Sequence, residues 1–217
     1  MEIPFSIDEF LGVFEAYNRA IEPVQWLGYG MGAVAVVWAI RGGRNSGKII
    51  LTILAAFWAW VGVVYQFLYF GPLNPAAYIF GTFFLLQSVL LLYVGFRSTP
   101  VTFQVVPSAG SVIGAGFILY AMLIYPILNY LLDHAYPKMP VFGVTPCPIT
   151  IFTFGMFLWI REKVPLPIVA VPFLWSLVGA SAAVSLGIVE DYGLVVAGAV
   201  SLIFIVTTNR RKVVHSS

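Results

Sequence analysis

The chain has 217 residues, of which 60% are hydrophobic and only 9% are charged, and its formal net charge is +2. A soluble globular domain carries about 25% charged residues, so most of this surface must face something other than water. The small net charge argues against nucleic acid as a partner, and the single cysteine excludes an internal disulfide or a Cys-pair metal site. We therefore predict one polytopic membrane domain over residues 1–217, with the lipid bilayer as its main partner.

Residues 1–21 are predicted to contain a short helix. Ser6 and Glu9 have the spacing of a capping box, in which each side chain bonds an end group of the helix backbone. The apolar residues that follow recur at helical spacing and form one stripe: Phe10, Phe14, Tyr17 and Ile21. The polar side is acidic rather than basic, so we predict an interfacial helix that packs across the mouth of a helix bundle.

Seven apolar segments of roughly bilayer-spanning length follow. They cover about residues 23–40, 49–70, 75–96, 109–132, 141–160, 166–187 and 192–208. Trp and Tyr lie near several of their ends, which is typical of interfacial belts. The predicted fold is therefore an all-α integral membrane bundle of seven transmembrane helices.

Charges alternate between the two sides of this predicted bundle. One set of connections is basic: Arg41, Arg44, Lys48, Arg97, Arg161, Lys163, Arg210, Arg211 and Lys212. The other set is mainly acidic: Glu2, which lies outside the residues that the structure describes, Asp8, Glu9, Glu15, Asp133, Glu190 and Asp191, together with Arg19 and Lys138. Because cytoplasmic loops are rich in Lys and Arg, we predict the N-terminus outside and the C-terminus inside.

Small residues spaced four apart let membrane helices approach closely. Three such pairs occur: Gly28 and Gly32, Gly110 and Gly114, and Gly179 and Ala183. Packing within the bundle is the simpler use of these faces. Contact with a second copy of the chain, or with a partner in a membrane complex, is the alternative.

The fifth apolar segment contains a break. Thr145 and Cys147 each precede a proline, which disfavours helical backbone at both positions. Pro148 suits the first position of a helix, so we predict that the helix starts there with Cys147 as its cap. From Pro148 to Ile160 the helix would be about 20 Å long, short of the roughly 30 Å hydrocarbon layer. Non-helical backbone in the remaining depth must be shielded by protein or line a wet cavity.

This break is the candidate site. We predict an outward-facing, ligand-binding pocket there, lined by six residues: His134, Tyr136, Thr145, Cys147, Glu190 and Asp191. The simpler interpretation is a proline-shaped entry turn in which the cysteine is merely small. His134 and Cys147 alone would give two metal ligands where zinc normally takes three or four, so neither a metal nor another cofactor is predicted.

Other activities find less support. Gly42 to Lys48 has the spacing of a phosphate-binding loop, but Ile49 stands where Ser or Thr would bind magnesium, so we interpret this segment as a basic turn. No predicted span holds a charge near its centre, which weakens a proton-coupled mechanism. No nucleophile–base or carboxylate pair stands out, so an enzyme is the least favoured class.

Four segments carry a family resemblance: IPFSIDEFLGVFEAYN, YQFLYFGPLNPAAY, YPKMPVFGVTPCPITIFTFG and LWSLVGASAAVSLGIVEDYGL. Together they resemble an uncharacterised bacterial domain-of-unknown-function family of small polytopic membrane proteins. The resemblance covers nearly the whole chain. It implies a multi-pass protein of the bacterial inner membrane, and it carries over no activity and no functional residues.

Two hypotheses of function follow from these observations. The first is transport or binding of a small solute or ion through the outward-facing site at the break. The second is a non-catalytic subunit or scaffold of a larger membrane complex, held there by its small-residue faces.

Overall fold

The computed structural model describes residues 5–99 and 101–214. Within these residues the chain forms eight helices: α1 (Ile7–Ala20), α2 (Val24–Arg41), α3 (Ser46–Phe70), α4 (Ala76–Phe96), α5 (Ala109–Leu131), α6 (Pro146–Phe157), α7 (Leu166–Leu186) and α8 (Tyr192–Val214). A turn of 3-10 helix, Val189–Asp191, joins α7 to α8. Val61–Phe70 in α3 and Tyr120–Ile124 in α5 are wound as π-helix within otherwise continuous helices.

The prediction of an all-helical, membrane-like chain is confirmed in its coarse form. Among the described residues, five helical segments are long and apolar enough to cross a membrane: α3, α4, α5, α7 and Val189–Arg211. A sixth is reached if α1 and α2, which meet at 87°, count as one broken span. α6 is apolar but has only 12 residues, so a count of seven depends on α2 and α6.

The predicted N-terminal helix is confirmed as α1, and its capping box is formed. The Ser6 hydroxyl accepts the Glu9 amide at 3.3 Å, and the Glu9 carboxylate accepts the Ser6 amide at 2.8 Å. The predicted stripe faces the bundle, where its aromatic rings pack on rings from the end of α3: Phe10 on Phe70, Phe14 on Tyr65, and Tyr17 on Tyr65 and Tyr69. Stacked and edge-to-face rings therefore pack α1 against the end of α3.

The basic connections meet at one end of the bundle. The Phe103 amide donates to the Ser46 hydroxyl at 2.9 Å, and the Gln104 amide donates to the Trp159 carbonyl at 2.9 Å. Asn209, near the end of α8, exchanges two hydrogen bonds with the backbone of Val164. The loops that follow α2, α4 and α6 therefore lie together with the end of α8, and we call this the basic end.

The opposite end gathers α1, the segment 132–145 and the turn before α8, and we call it the acidic end. Lys138 forms an ion pair with Glu15 at 3.5 Å, which connects the 132–145 segment to α1. His134 contacts Glu190 at 3.0 Å, which connects the same segment to the 3-10 turn. The 132–145 segment and the 3-10 turn thus lie at the same end of the bundle, as the charge pattern predicted.

The three small-residue pairs are filled from within the chain. A Cβ added at Gly28 would meet the Gly143 backbone at 3.0 Å, and one at Gly114 would meet the Gly155 carbonyl at 2.7 Å. Phe142, Phe204 and Leu194 lie against the remaining glycines, Gly32, Gly110 and Gly179, and Ala183 is buried. These faces contribute to internal packing.

α6 is the centre of the bundle, and every one of its residues is buried. It lies against α3, α5, α7 and α8, and Trp58 of α3 donates to the Thr153 hydroxyl in its middle at 3.0 Å. At 1.5 Å per residue it is about 18 Å long, well short of a hydrocarbon layer of about 30 Å. The non-helical segment 141–145 before it is buried, as expected for backbone shielded by protein.

The start of α6 differs from the prediction. The helix begins at Pro146 rather than Pro148, and Thr145, not Cys147, is the extended residue that precedes it, with φ −124° and ψ 154°. Pro146 meets the same requirement as Pro148, because a residue at the first position of a helix needs no amide hydrogen. Cys147 therefore lies inside the first turn, with its side chain directed into the bundle.

Candidate functional site

Two carboxylates are buried at the acidic end. Glu190 and Asp191 are neighbours in the 3-10 turn and are 1% and 4% exposed. α7 ends at Gly187, whose φ of +71° lets the chain turn sharply into this segment. Ionisable residues at this depth are costly, and in membrane proteins they are by default candidates for function. The sequence has no charge near the centre of a predicted span, and these two buried acids lie at the edge of one.

Asp191 is held by donors on both oxygens. The Tyr125 hydroxyl of α5 donates to Oδ1 at 2.5 Å, and the Cys147 thiol of α6 lies 3.5 Å from Oδ2. The indole nitrogen of Trp175 in α7 is buried and lies near the same sulfur. Two helices, α5 and α6, therefore present donor groups to one carboxylate.

Glu190 has a different environment. Its Oε1 lies 3.0 Å from Nδ1 of His134, while its Oε2 is buried with no hydrogen-bond partner. The Tyr120 hydroxyl donates to the Glu190 backbone carbonyl at 2.7 Å, which fixes the turn but leaves the carboxylate alone. The His134 side chain is 18% exposed, so it stands between Glu190 and the surface of the acidic end.

We call His134, Glu190, Asp191, Cys147 and Tyr125 the acidic-end cluster. The structure brings together four of the six predicted residues as two pairs, His134 with Glu190 and Cys147 with Asp191. Their common location is set by the 3-10 turn, which presents two consecutive carboxylates to different helices.

The other two predicted residues do not join the cluster. The Thr145 hydroxyl donates to the Val141 carbonyl at 2.8 Å and so satisfies the non-helical segment before α6. Tyr136 is 46% exposed and faces Glu22 rather than Glu190. Partial burial, and after it the Glu22 carboxylate, raise the pKa of Tyr136.

Tyr125, Tyr120 and Trp175 were not predicted from the sequence. Each lies in a long apolar span, where an aromatic residue is more often part of the core than of a site. One signal was available for Tyr125: Asn129 follows it by one helical turn and is fully buried, so this face of α5 is polar.

Among the described residues, no group of three or more His, Cys, Asp or Glu side chains is placed to hold a metal ion. His134 and Cys147, the pair considered from the sequence, bind to different carboxylates. The residues of the cluster match hydrogen-bond and proton chemistry better than coordination chemistry.

α1 covers the 132–145 segment at the acidic end. The Asn18 amide donates to the carbonyls of Pro137 and Met139 at 2.7 and 2.8 Å, and the Tyr17 hydroxyl donates to the Val144 carbonyl at 2.6 Å. Trp60 donates in turn to the Tyr17 hydroxyl at 2.8 Å. These bonds fix the 132–145 segment to α1 and keep its non-helical backbone satisfied.

A separate groove of about 540 Å³ lies between α5 and α8 and is lined by apolar residues and tyrosines: Ile113, Gly116, Phe117, Tyr120, Val189, Tyr192, Gly193 and Val196. None of the six predicted site residues lines it. Tyr120 connects the two regions, because its ring borders the groove while its hydroxyl contacts the Glu190 backbone.

Comparison with known proteins places the chain by family. A family model described as a family of unknown function, DUF6064, matches residues 7–216. The chain belongs to this family. No curated protein and no solved structure matches it. The match includes every helix described above and the whole acidic-end cluster, and it confirms the resemblance to a domain-of-unknown-function family.

Proposed function

We propose that this protein binds or transports a small solute or ion through a site at its acidic end. The observation that carries the proposal is the pair of consecutive buried carboxylates, Glu190 and Asp191, in a chain with only 9% charged residues. A purely structural turn has no need of two buried acids, whose burial costs free energy unless they are paired or neutralised.

The threading proposed for the chain places this site outside. α2 and α6, with the segment before it, are taken as two further crossings, giving seven with the N-terminus outside and the C-terminus inside. The meeting of the Arg- and Lys-bearing loops at one end supports this direction, since such loops remain in the cytoplasm. We place the protein in the inner membrane of a bacterial cell, as a multi-pass protein.

A thermal-unfolding screen tests the proposal. The purified protein is heated with a panel of metal ions, small anions and ammonium compounds at fixed pH, together with the variants Glu190→Gln and Cys147→Ser. A ligand at one hundred times its Kd should stabilise the folded state by about 2.7 kcal/mol. Glu22→Gln, on the exposed surface, is the matched control and should respond as the wild type does.

We expect at least one compound to stabilise the wild type and the control, and to lose its effect in Glu190→Gln. Flat responses from the wild type across the panel would contradict binding of a small solute or of an ion other than the proton. Equal responses from Glu190→Gln and the wild type would locate binding elsewhere.

The alternative proposal is a non-catalytic subunit of a membrane complex. It is favoured by the groove between α5 and α8 and by the exposure of α5, of which only 28% is buried, against 39–50% for the other four spans. Native mass spectrometry from native-lipid particles tests it. A stable assembly with a second copy or another membrane protein is expected, and a monomer that binds a compound from the screen would contradict it.

A further inference from the structure

We infer that the His134–Glu190 pair is a proton-binding site that exchanges its proton with water at the acidic end. This inference rests on the proposed function and names the proton as the bound species. It places the proton on Glu190.

The two carboxylates have opposite surroundings. Asp191 receives hydrogen bonds from Tyr125 and Cys147, one on each oxygen, and such donors favour the ionised form. Glu190 has one oxygen buried without a partner, which makes its ionised form costly. Neighbouring acids whose environments differ in this way take different protonation states.

Among the described residues, His134 is the only basic side chain that contacts either acid. In the described part of the chain, neither Glu190 nor Asp191 forms an ion pair with Lys or Arg, and Lys138 at the same end pairs with Glu15. The titratable groups that face the two acids from the surrounding elements are His134, Tyr120, Tyr125 and Cys147. Tyr65 of α3 also lies within electrostatic range of Asp191.

Polar atoms left without partners show that the region is not a closed, fully satisfied network. Oε2 of Glu190, a residue that is 1% exposed, has no hydrogen-bond partner. Asn129 lies one turn from Tyr125 and is fully buried, and its side-chain oxygen also has none. Buried polar groups are nearly always hydrogen-bonded, and exceptions are places where a proton, water or ligand completes the network.

His134 provides the route. Starting from neutral His134 with hydrogen on Nδ1 and ionised Glu190, a proton from water binds Nε2 of His134. The hydrogen on Nδ1 then passes over the 3.0 Å contact to Oε1 of Glu190. Histidine returns to its neutral form in the other tautomer, and Glu190 is a neutral carboxylic acid. The pair has gained one proton.

Infrared difference spectroscopy tests the location of the proton. Spectra of the reconstituted protein are compared across pH values above about 5.5, where exposed glutamates, with a pKa of about 4.3, are ionised. We expect the C=O stretch of a protonated carboxyl in the wild type, and a shift of this band when only glutamate carries ¹³C. This isotope experiment needs no variant and so does not depend on variant folding.

The variants locate the band. It should disappear in Glu190→Gln and persist in Asp191→Asn and in the control Glu22→Gln. A band that ignores the glutamate label, or that survives in Glu190→Gln, would overturn the inference. Absence of the band from the wild type would also overturn the inference, because the proton would then reside on His134, in an ion pair with ionised Glu190.

Proton uptake followed with a pH indicator after rapid mixing tests the route. His134→Gln keeps a donor toward Glu190 but cannot relay a proton, so we expect uptake at least tenfold slower with the carboxyl band retained. Uptake at the wild-type rate would exclude His134 as the entry. The ion screen at fixed pH remains a separate test, so the proton assignment and the proposed function can fail independently.

Discussion

Removal of the Tyr125 hydroxyl is the most informative single change at the acidic-end cluster. Tyr125→Phe keeps the buried ring and its packing, because the tyrosine is fully buried and phenylalanine has the same shape without the oxygen. The change deletes the 2.5 Å hydrogen bond to Asp191 and leaves Oδ1 without this donor. Hydrogen bonds to charged groups contribute about 1.5–3 kcal/mol, so the variant should lose about 2 kcal/mol of unfolding free energy.

Two other tyrosines provide graded controls. Tyr120→Phe deletes a bond to the Glu190 backbone carbonyl, a neutral acceptor, and should cost about 1 kcal/mol. Tyr130 is 71% exposed, so Tyr130→Phe should change stability by less than about 0.5 kcal/mol. The measurement is denaturant unfolding in detergent micelles at neutral pH, followed by tryptophan fluorescence.

A double-mutant cycle with Asp191→Asn assigns the loss to the pair. If the Tyr125 hydroxyl acts through this carboxylate, Tyr125→Phe should cost about 1–2 kcal/mol less in the Asp191→Asn background. Equal losses from Tyr125→Phe and Tyr130→Phe, or a loss from Tyr125→Phe that is unchanged by Asp191→Asn, would refute the reasoning.

Three further changes test the packing around the cluster. Asn18→Ala removes two donated hydrogen bonds and should lower the free energy of unfolding by about 2 kcal/mol. It should also speed proteolysis within residues 132–140, and an unchanged cleavage rate would contradict the role of α1 as a cover. Gly143 has a φ of +85°, and Gly143→Ala places a Cβ 2.6 Å from Gly28, so it should lower the free energy of unfolding by about 2–5 kcal/mol. Its control is Gly30→Ala, whose Cβ meets nothing within 4 Å and which should be near neutral in the same unfolding assay. Gln66 is fully buried with neither side-chain polar atom bonded, so Gln66→Met should stabilise the protein by about 1 kcal/mol; a loss of stability would mean that bound water or solute meets the amide.

The helical architecture could be predicted because the bilayer imposes it locally. Each long apolar segment must satisfy its own backbone, so the span length, the cap at Ser6 and the proline start of α6 are determined by neighbouring residues. The start of α6 was misplaced by two residues because Pro146 and Pro148 meet the same local requirement. Only the packing of Cys147 into the bundle distinguishes them, and that packing is not a local property.

The cluster could be predicted in part. His134, Cys147, Glu190 and Asp191 were found because charged residues, histidine and cysteine are rare in this chain. Their pairing depends on where the 3-10 turn lies against α5 and α6, which are distant in sequence. Tyr125 was missed for the same reason, since nothing adjacent to it in the chain indicates that it meets a residue 66 positions away.

The central claim is that the cluster lies beneath the outer end of the bundle and is reached from there. Cys147 is the only cysteine and is 9% exposed, so a membrane-impermeant maleimide tests the claim without added cysteines. We predict slow labelling from outside intact cells in the wild type, and at least tenfold faster labelling in Asn18→Ala, in which the cover is loosened. Labelling that occurs only when the reagent is given access to the cytoplasmic side would contradict the account.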